Sequence, residues 1–378
     1  MDASIQTCMS AVAVGIGLGE QHSMVLKEDG SVWTSPITPG GVSASTLGSK
    51  HMVKAIDSGA KVAVAGLYHS LVLMEDGTVW GTGRNSKGQF GDGTKTGKRM
   101  FVTARAENAK AIGVGGHHSM IITSTGDVMS TGWNNYGQLG DRYITYRTRF
   151  RDVKFNTVQE EGPAKAVTGG DLHTMILMED GSVWATGRNE HGQLGDGSTT
   201  DTSVFVKVMS SGAAYIFGGG GHSMVIKGDG SVWATGWNIY GQLGDGSVTD
   251  RHTYVQVVSR GAKDIDLGHQ HSIMLQSDGS VWATGFNAYG QLGDGTTSDR
   301  NMFKQVMSER VTAIGAGAFH TMIATDDGGV WATGSNKHGQ FGDGTVSYGA
   351  KFTRLKLFDN ADSTGDIVDT SWSAEVRW

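Results

Sequence analysis

Apolar and polar positions along this chain fall into short runs that restart about every 49 residues, and the fifth copy shows the pattern most cleanly. Ala213–Phe217 is an apolar run that ends in four glycines, Gly218–Gly221. His222–Lys227 follows, with Met224, Val225 and Ile226 consecutive. The Asp229-Gly230 pair then favours a tight hairpin turn. Ser231–Gly236 reads as a third strand and Thr253–Val258 as a fourth, separated by the loop 238–246. The unit is therefore predicted to be four short strands joined by turns, with no helix. Strands apolar on both faces belong to sheets that are covered on both sides.

Seven such units follow one another. Each is marked by the histidine of a Gly-x-x-His-Ser/Thr core: His22, His69, His118, His173, His222, His271 and His320. The steps are 47, 49, 55, 49, 49 and 49 residues. Eleven residues after each histidine stands Trp33, Trp80, Met129, Trp184, Trp233, Trp282 or Trp331. Self-similarity at this period signals a repeat architecture. Four-stranded units of this kind build β-propeller blades around a central channel. The prediction is all-β, a seven-bladed β-propeller of four-stranded antiparallel blades. An open solenoid would need polar caps on its terminal units, and neither end has them. The domain is expected to span 1–358, with a C-terminal tail, 359–378, packing on or near the closure through Trp372 and Trp378.

Composition changes this picture little. Gly 59 against Pro 3 would suggest disorder in an aperiodic chain, but here the glycines recur at fixed places and read as turns and close strand approaches. The net charge of -6 argues against a general phosphate-binding surface. The one cysteine, Cys8, excludes an intrachain disulfide and is compatible with a reducing, intracellular compartment. No apolar run reaches the roughly 18 residues that span a membrane. Residues 8–19 look like a short targeting segment. Their alignment with Val62–Gly66 and Ala111–Gly115 predicts a blade strand instead.

The string Asp-Gly-Ser-Val-Trp-Ala-Thr-Gly-x-Asn-x-x-Gly-Gln-Leu-Gly-Asp-Gly stands at 180–197, 229–246 and 278–295, and nearly so at 76–93 and 327–344. In this string the chain resembles the regulator of chromosome condensation family, including its tubulin-suppressor-like branch, over roughly residues 10 to 358. The resemblance implies a propeller used mainly as a binding platform. The family includes a guanine-nucleotide exchange factor for the Ran GTPase that also docks on nucleosomes, and a plant UV-B photoreceptor. The photoreceptor's Gly-Trp-Arg-His-Thr motif is absent here. The positions before the repeat histidines read Glu20-Gln21, Leu67-Tyr68, Gly116-His117, Asp171-Leu172, Gly220-Gly221, His269-Gln270 and Ala318-Phe319.

No chemistry-bearing constellation emerges. The repeat histidines are a blade apart, on the order of 10 Å, whereas one metal ion needs ligands at about 2.1 Å. They are expected to bridge backbone groups beside their small neighbours, with no metal and no cofactor. The tryptophans are expected in the core. Asp196 with Asp201, Asp245 with Asp250 and Asp294 with Asp299 lack the dense alternating acids of a calcium loop and read as turn residues. Ser–His adjacency belongs to the repeat rather than to a triad. No catalytic residue is assigned, and the protein is read as a non-enzyme.

Variable positions inside the constant loop are more informative. Arg84, Trp133, Arg188, Trp237 and Phe286 precede the loop asparagine; Tyr136, His191, Tyr240 and Tyr289 follow two positions after it. Repeat equivalence places them on one rim. Trp, Tyr and Arg are the types enriched at binding hot spots, so this rim is the candidate partner-binding face, with a basic flank at Arg188 and His191. The third unit departs from the repeat: Arg142 replaces a glycine, and 142–151 is read as its inserted region. There Arg142, Arg147, Arg149 and Arg151 interleave with aromatics in an extended strand or protruding hairpin suited to an acidic partner. The functional reading is a protein–protein interaction module or scaffold whose partner is a protein, acidic or a small GTPase, rather than nucleic acid. The alternatives are a guanine-nucleotide exchange factor for a Ran-type GTPase, and a structural subunit of a large assembly.

Overall fold

The four-strand unit forms because each hairpin is closed by local chemistry. In the Asp-Gly-Ser turns, the Ser31, Thr78, Ser182, Ser231 and Ser280 amides donate to the aspartate two residues earlier at 2.8–2.9 Å. The computed structural model describes residues 12–35, 51–105, 107–155, 162–308 and 310–357. It contains seven four-stranded antiparallel sheets, each made from consecutive strands. Blade one takes Ala13–Leu18, Ser23–Lys27, Val32–Thr34 and Val53–Ile56. Blade two runs from Ala60 to Arg105, three from Ala109 to Asp152 and four from Ala164 to Met209. Blades five, six and seven cover Ala213–Val258, Ala262–Met307 and Val311–Arg354. No helix occurs among the described residues. Within the N-terminal apolar stretch, Ala13–Leu18 is a blade strand, residues 8–11 lying outside the described residues, and the fourth strand of blade five starts at Arg251, two residues before its predicted start. The predicted tail, 359–378, lies outside the described residues.

The second strand of every blade is buried almost throughout, as in His118–Thr123. Its side chains pack against the next sheet, so the core is seven interblade layers rather than one centre. The repeat histidine fixes the spacing of these layers. Each Nε2 meets the hydroxyl of the next blade: His22–Ser70, His69–Ser119, His118–Thr174, His173–Ser223, His222–Ser272, His271–Thr321 and His320–Ser23, all at 2.7–2.9 Å. The expected bridge to backbone groups is thus corrected: the acceptor is a side chain on the neighbouring sheet. Ser223 itself donates to the Gln193 carbonyl at 2.7 Å, and Thr174, Ser272 and Thr321 act likewise on Gln138, Gln242 and Gln291. Ser23 does the same to Gln340, so where the hydroxyl proton is used in this way the histidine must supply Nε2–H, which makes His118, His173, His222, His271 and His320 neutral donors. Burial keeps all seven neutral, with pKa values pushed down to about 3 for His69, His118, His222, His271 and His320 and about 4 for His22 and His173.

The glycine of Gly-x-x-His is required by space. A Cβ on Gly115 would sit 2.1 Å from His118 Cε1 and 2.4 Å from the Gly170 carbonyl oxygen. Gly19, Gly66, Gly170, Gly219, Gly268 and Gly317 face the same two neighbours, and together they form a tight collar around the channel. Backbone bonds lace it, including Gly116 to Gly170, Asp171 to Gly219 and Ala318 to Gly19.

The tryptophans are not uniformly core. Of the six repeat tryptophans only Trp184 is fully buried; the other five are half-buried on the blade flanks, with Lys27 over Trp33 and Lys227 over Trp233. Phe155 explains the exception: it packs edge-on against Trp184 at 5.1 Å and bridges to Phe205 of blade four. The blade-three insertion also lies elsewhere than expected. Arg147–Asp152 is an ordinary outer strand, starting 29 residues after its histidine like Thr202, Arg251 and Arg300. The extra residues fall between that strand and Ala164, partly in 156–161, outside the described residues. Arg142 takes the left-handed backbone (φ 72) of the glycine it replaces.

Candidate protein-binding face

The loops between strands one and two and between strands three and four emerge at the same end of every blade. His69 pairs with Gly83, and the loop follows directly. The constant residues of the second loop are internal. Asn189 is buried; its Oδ1 accepts the Leu194 amide at 3.0 Å and its Nδ2 donates to Asp196 at 3.1 Å. Asp201, Asp250 and Asp299 accept the amides of Asn189, Asn238 and Asn287 at 2.8 Å. Burial works to raise the pKa of Asp294, but bonds from Thr296, Arg300 and Lys304 outweigh it and hold the carboxyl far below its usual range. These carboxylates serve the turn, as expected of them. No group of three or more candidate metal ligands occurs among the described residues.

With the constant residues inside, the variable ones reach the surface. His191 stacks on Trp237 at 5.2 Å, Trp237 meets Tyr240 edge-on at 5.8 Å, and Tyr240 lies 4.8 Å from Phe286. Phe286 contacts Tyr289 at 6.1 Å. On the other side Trp133 meets Tyr136 at 6.1 Å, and Arg188 lies 5.0 Å over Tyr136. The predicted rim residues of blades two to six therefore share one face. Arg84 joins through Tyr68, whose ring lies 5.6 Å beneath its guanidinium.

Four residues that complete this arc were not predicted. Tyr68 contacts His117, which contacts Trp133; Phe319 joins Tyr289 and Phe286 to His269. All four stand one or two positions before a repeat histidine, and His269 lines the channel, as do Leu67, Gly116 and Ala318 beside the other three. His269 reaches over the Gly220-Gly221 backbone of blade five to Asp171 of blade four, at 3.0 Å. Burial depresses His269, but the Asp171 carboxylate outweighs it and lifts its pKa above the ordinary value. Burial and the adjacent Glu20 raise Tyr68 to about 12. The equivalent positions share no residue type across the units, so only their position relative to the histidine marked them.

The predicted basic flank is neutralised within the face. Arg188 pairs with Glu190, and His191 lies 3.1 Å from Glu190 and 2.9 Å from Asp250. Arg147 is likewise structural: it binds Asp141 at 2.7 Å, as Arg251 binds Asp245 and Arg300 binds Asp294. Arg142, Arg149 and Arg151 sit on the loop and outer strand of blade three, and no ring or ion-pair contact joins them to the arc among the described residues.

Family models described as the regulator of chromosome condensation (RCC1) repeat match residues 60–89, 109–138, 164–193, 262–291 and 311–340, and again 180–226, 229–275 and 278–324. No curated protein matches the chain by sequence. Among solved structures, human WBSCR16 is 22% identical, with 82% of this chain and 84% of that one covered and a TM-score of 0.71. Yeast RCC1 (Prp20), solved bound to Kap60, is 17% identical over 82% of this chain and 79% of its own, with a TM-score of 0.73. Prp20p of Saccharomyces cerevisiae, in a structure described with its binding properties to Gsp1p and histones, is 18% identical over 83% of each chain, with a TM-score of 0.70. These likenesses concern the fold.

Proposed function

This chain belongs to the regulator of chromosome condensation (RCC1) repeat family, and we propose that it is a non-catalytic protein-binding module that engages its partner through the aromatic arc around the channel mouth. The observation that carries this reading is the continuity of the arc. Half-buried rings from blades two to seven, with Tyr289 exposed, follow one another along the face, and Arg188 with Glu190 bridges Tyr136 to His191 where no ring contact does, while the constant histidines, asparagines and glutamines beneath them are buried. Such a surface offers large, rigid contact area at low entropic cost, the quality of hot-spot clusters. Replacing Trp237, Tyr240 and Tyr289 together by alanine, in a variant that still folds, removes the partner.

A second reading is guanine-nucleotide exchange on a Ran-type GTPase. It is favoured by the likeness of fold to Prp20, whose binding properties to Gsp1p have been described. A nucleotide-release assay on a Ran-type GTPase separates the two: exchange accelerated by this protein supports the second reading, and binding without release supports the first.

A further inference from the structure

Blade three carries a second surface, independent of the aromatic arc, on its outer edge. Residues 142–154 include Arg142, Arg147, Arg149, Arg151 and Lys154 against one acid, Asp152, in a chain whose net charge is -6. Arg147 is committed to Asp141. Arg142, Arg149, Arg151 and Lys154 are exposed and have no carboxylate partner among the described residues. The other blades show what the fold itself needs at these places. Where Arg149 stands they have Met100, Val204, Thr253, Met302 and Lys351; where Arg151 stands they have Val102, Val206, Val255, Lys304 and Thr353. The two arginines are therefore not a requirement of the outer strand.

The adjoining loop is also distinct. The acid that caps the loop asparagine in blades four to six, Asp201, Asp250 or Asp299, is replaced here by Tyr146. Tyr143, Ile144 and Tyr146 are 61%, 65% and 42% exposed. Lys95 of blade two lies 4.1 Å over the Tyr146 ring and extends the basic strip to a second blade. Between the loop and the strand is an open depression of about 620 Å³, walled by Tyr143, Arg147, Arg151 and Lys154.

We propose that this edge binds an extended acidic segment of a partner protein, with glutamates or aspartates on Arg149, Arg151 and Lys154 and an apolar side chain against Tyr143 and Ile144. Charge complementarity selects the sign of the ligand. The concave shape suits a chain laid in a groove better than a flat bilayer. Asp141, paired with Arg147, and Asp152 line the same depression, so the ligand's acids must be spaced to fall on the basic side chains, which a peptide with interspersed apolar residues permits and an unbroken phosphate backbone does not.

The probe is a fluorescein-labelled peptide rich in glutamate with interspersed leucine, followed by fluorescence polarisation. Wild type binds it, and the affinity falls as salt rises. Arg149→Glu with Arg151→Glu and Lys154→Glu, melting with wild type, loses about tenfold or more. Trp237→Ala with Tyr240→Ala binds as wild type does, which keeps this surface separate from the arc. The milder Arg151→Thr, carrying the residue of blade seven, gives a partial loss should the triple reversal fail to fold. Absence of peptide binding by wild type overturns the proposal and leaves the charges as mere solvation of an outer edge. Tighter binding of duplex DNA or phosphatidylserine vesicles, lost in the same triple variant, also overturns it.

Discussion

His320 Nε2 lies 2.9 Å from Ser23 Oγ across 297 positions of sequence, and this bond closes the ring. Ser23 also donates to the Gln340 carbonyl at 2.6 Å, repeating at the seam the link that Ser223 makes between blades four and five. Ser23→Ala strands a buried histidine N–H and a buried carbonyl, which costs about 1–3 kcal/mol. Because the seam is built like every other layer, Ser223→Ala is expected to cost the same within error. Denaturant midpoints of the two variants check this; a negligible cost for Ser23→Ala would mean that the ring is closed by other contacts.

Seven neutral buried histidines make the protein acid-sensitive. Their folded pKa values, about 3 to about 4, lie below the ordinary 6.5. The unfolded chain therefore takes up protons first as pH falls. The stabilisation is complete above about pH 6.5 and is lost progressively toward pH 3, with a slope of about 1.4 kcal/mol per pH unit for each histidine. Asp264 and Asp266, raised by burial to about 6 and about 7, act in the opposite direction but are two against seven. Unfolding midpoints measured from pH 7 to pH 4 should fall steeply; a flat profile would contradict the histidine ring.

Gly115→Ala tests the collar. The new methyl group would overlap His118 and the Gly170 carbonyl of the next blade, where backbone cannot yield cheaply. The expected cost is on the order of 3 kcal/mol. Gly228→Ala is the control: nothing lies within 4 Å of its Cβ position, so its melting temperature should match wild type.

Blade seven lacks one bond that the five other tryptophan-bearing blades have. Trp33, Trp80, Trp184, Trp233 and Trp282 donate their indole N–H to Ser31, Thr78, Ser182, Ser231 and Ser280. Gly329 stands at that position in blade seven, and Trp331 Nε1 is buried without a partner. Gly329→Ser restores the acceptor but brings Cβ to 2.8 Å from Thr325 Oγ1. Combined with Thr325→Lys, the residue of blades one and five, it should stabilise by about 1 kcal/mol, read as a higher melting temperature.

Most of the fold was legible because it rests on constant residues. Gly115, His118 and Ser119 are needed at one spacing in every blade, so periodicity exposes them. The partner of each histidine was not legible, since it lies on the next unit and periodicity within a unit cannot show contacts between units. The rim residues from Arg84 to Tyr289 could be placed by repeat equivalence. Tyr68, His117 and Phe319 could not, because the position just before the histidine holds Gln21, Leu172, Gly221 and Gln270 in the other units, and neither could His269, whose position holds Gly116, Gly220 and Ala318 elsewhere; neither position carries a common chemistry. Arg147 was misread for the converse reason. Its role with Asp141 is a repeat feature that becomes visible only beside Arg251–Asp245 and Arg300–Asp294.

The most direct test is affinity capture from the source organism's extract with wild type beside Trp237→Ala, Tyr240→Ala and Tyr289→Ala combined, melting within a few degrees of wild type. The account predicts a protein held by wild type, lost by this variant and retained by Arg149→Glu with Arg151→Glu. The same proteins captured by wild type and by the aromatic variant would contradict it, and would return the arc to a role in packing its own loops.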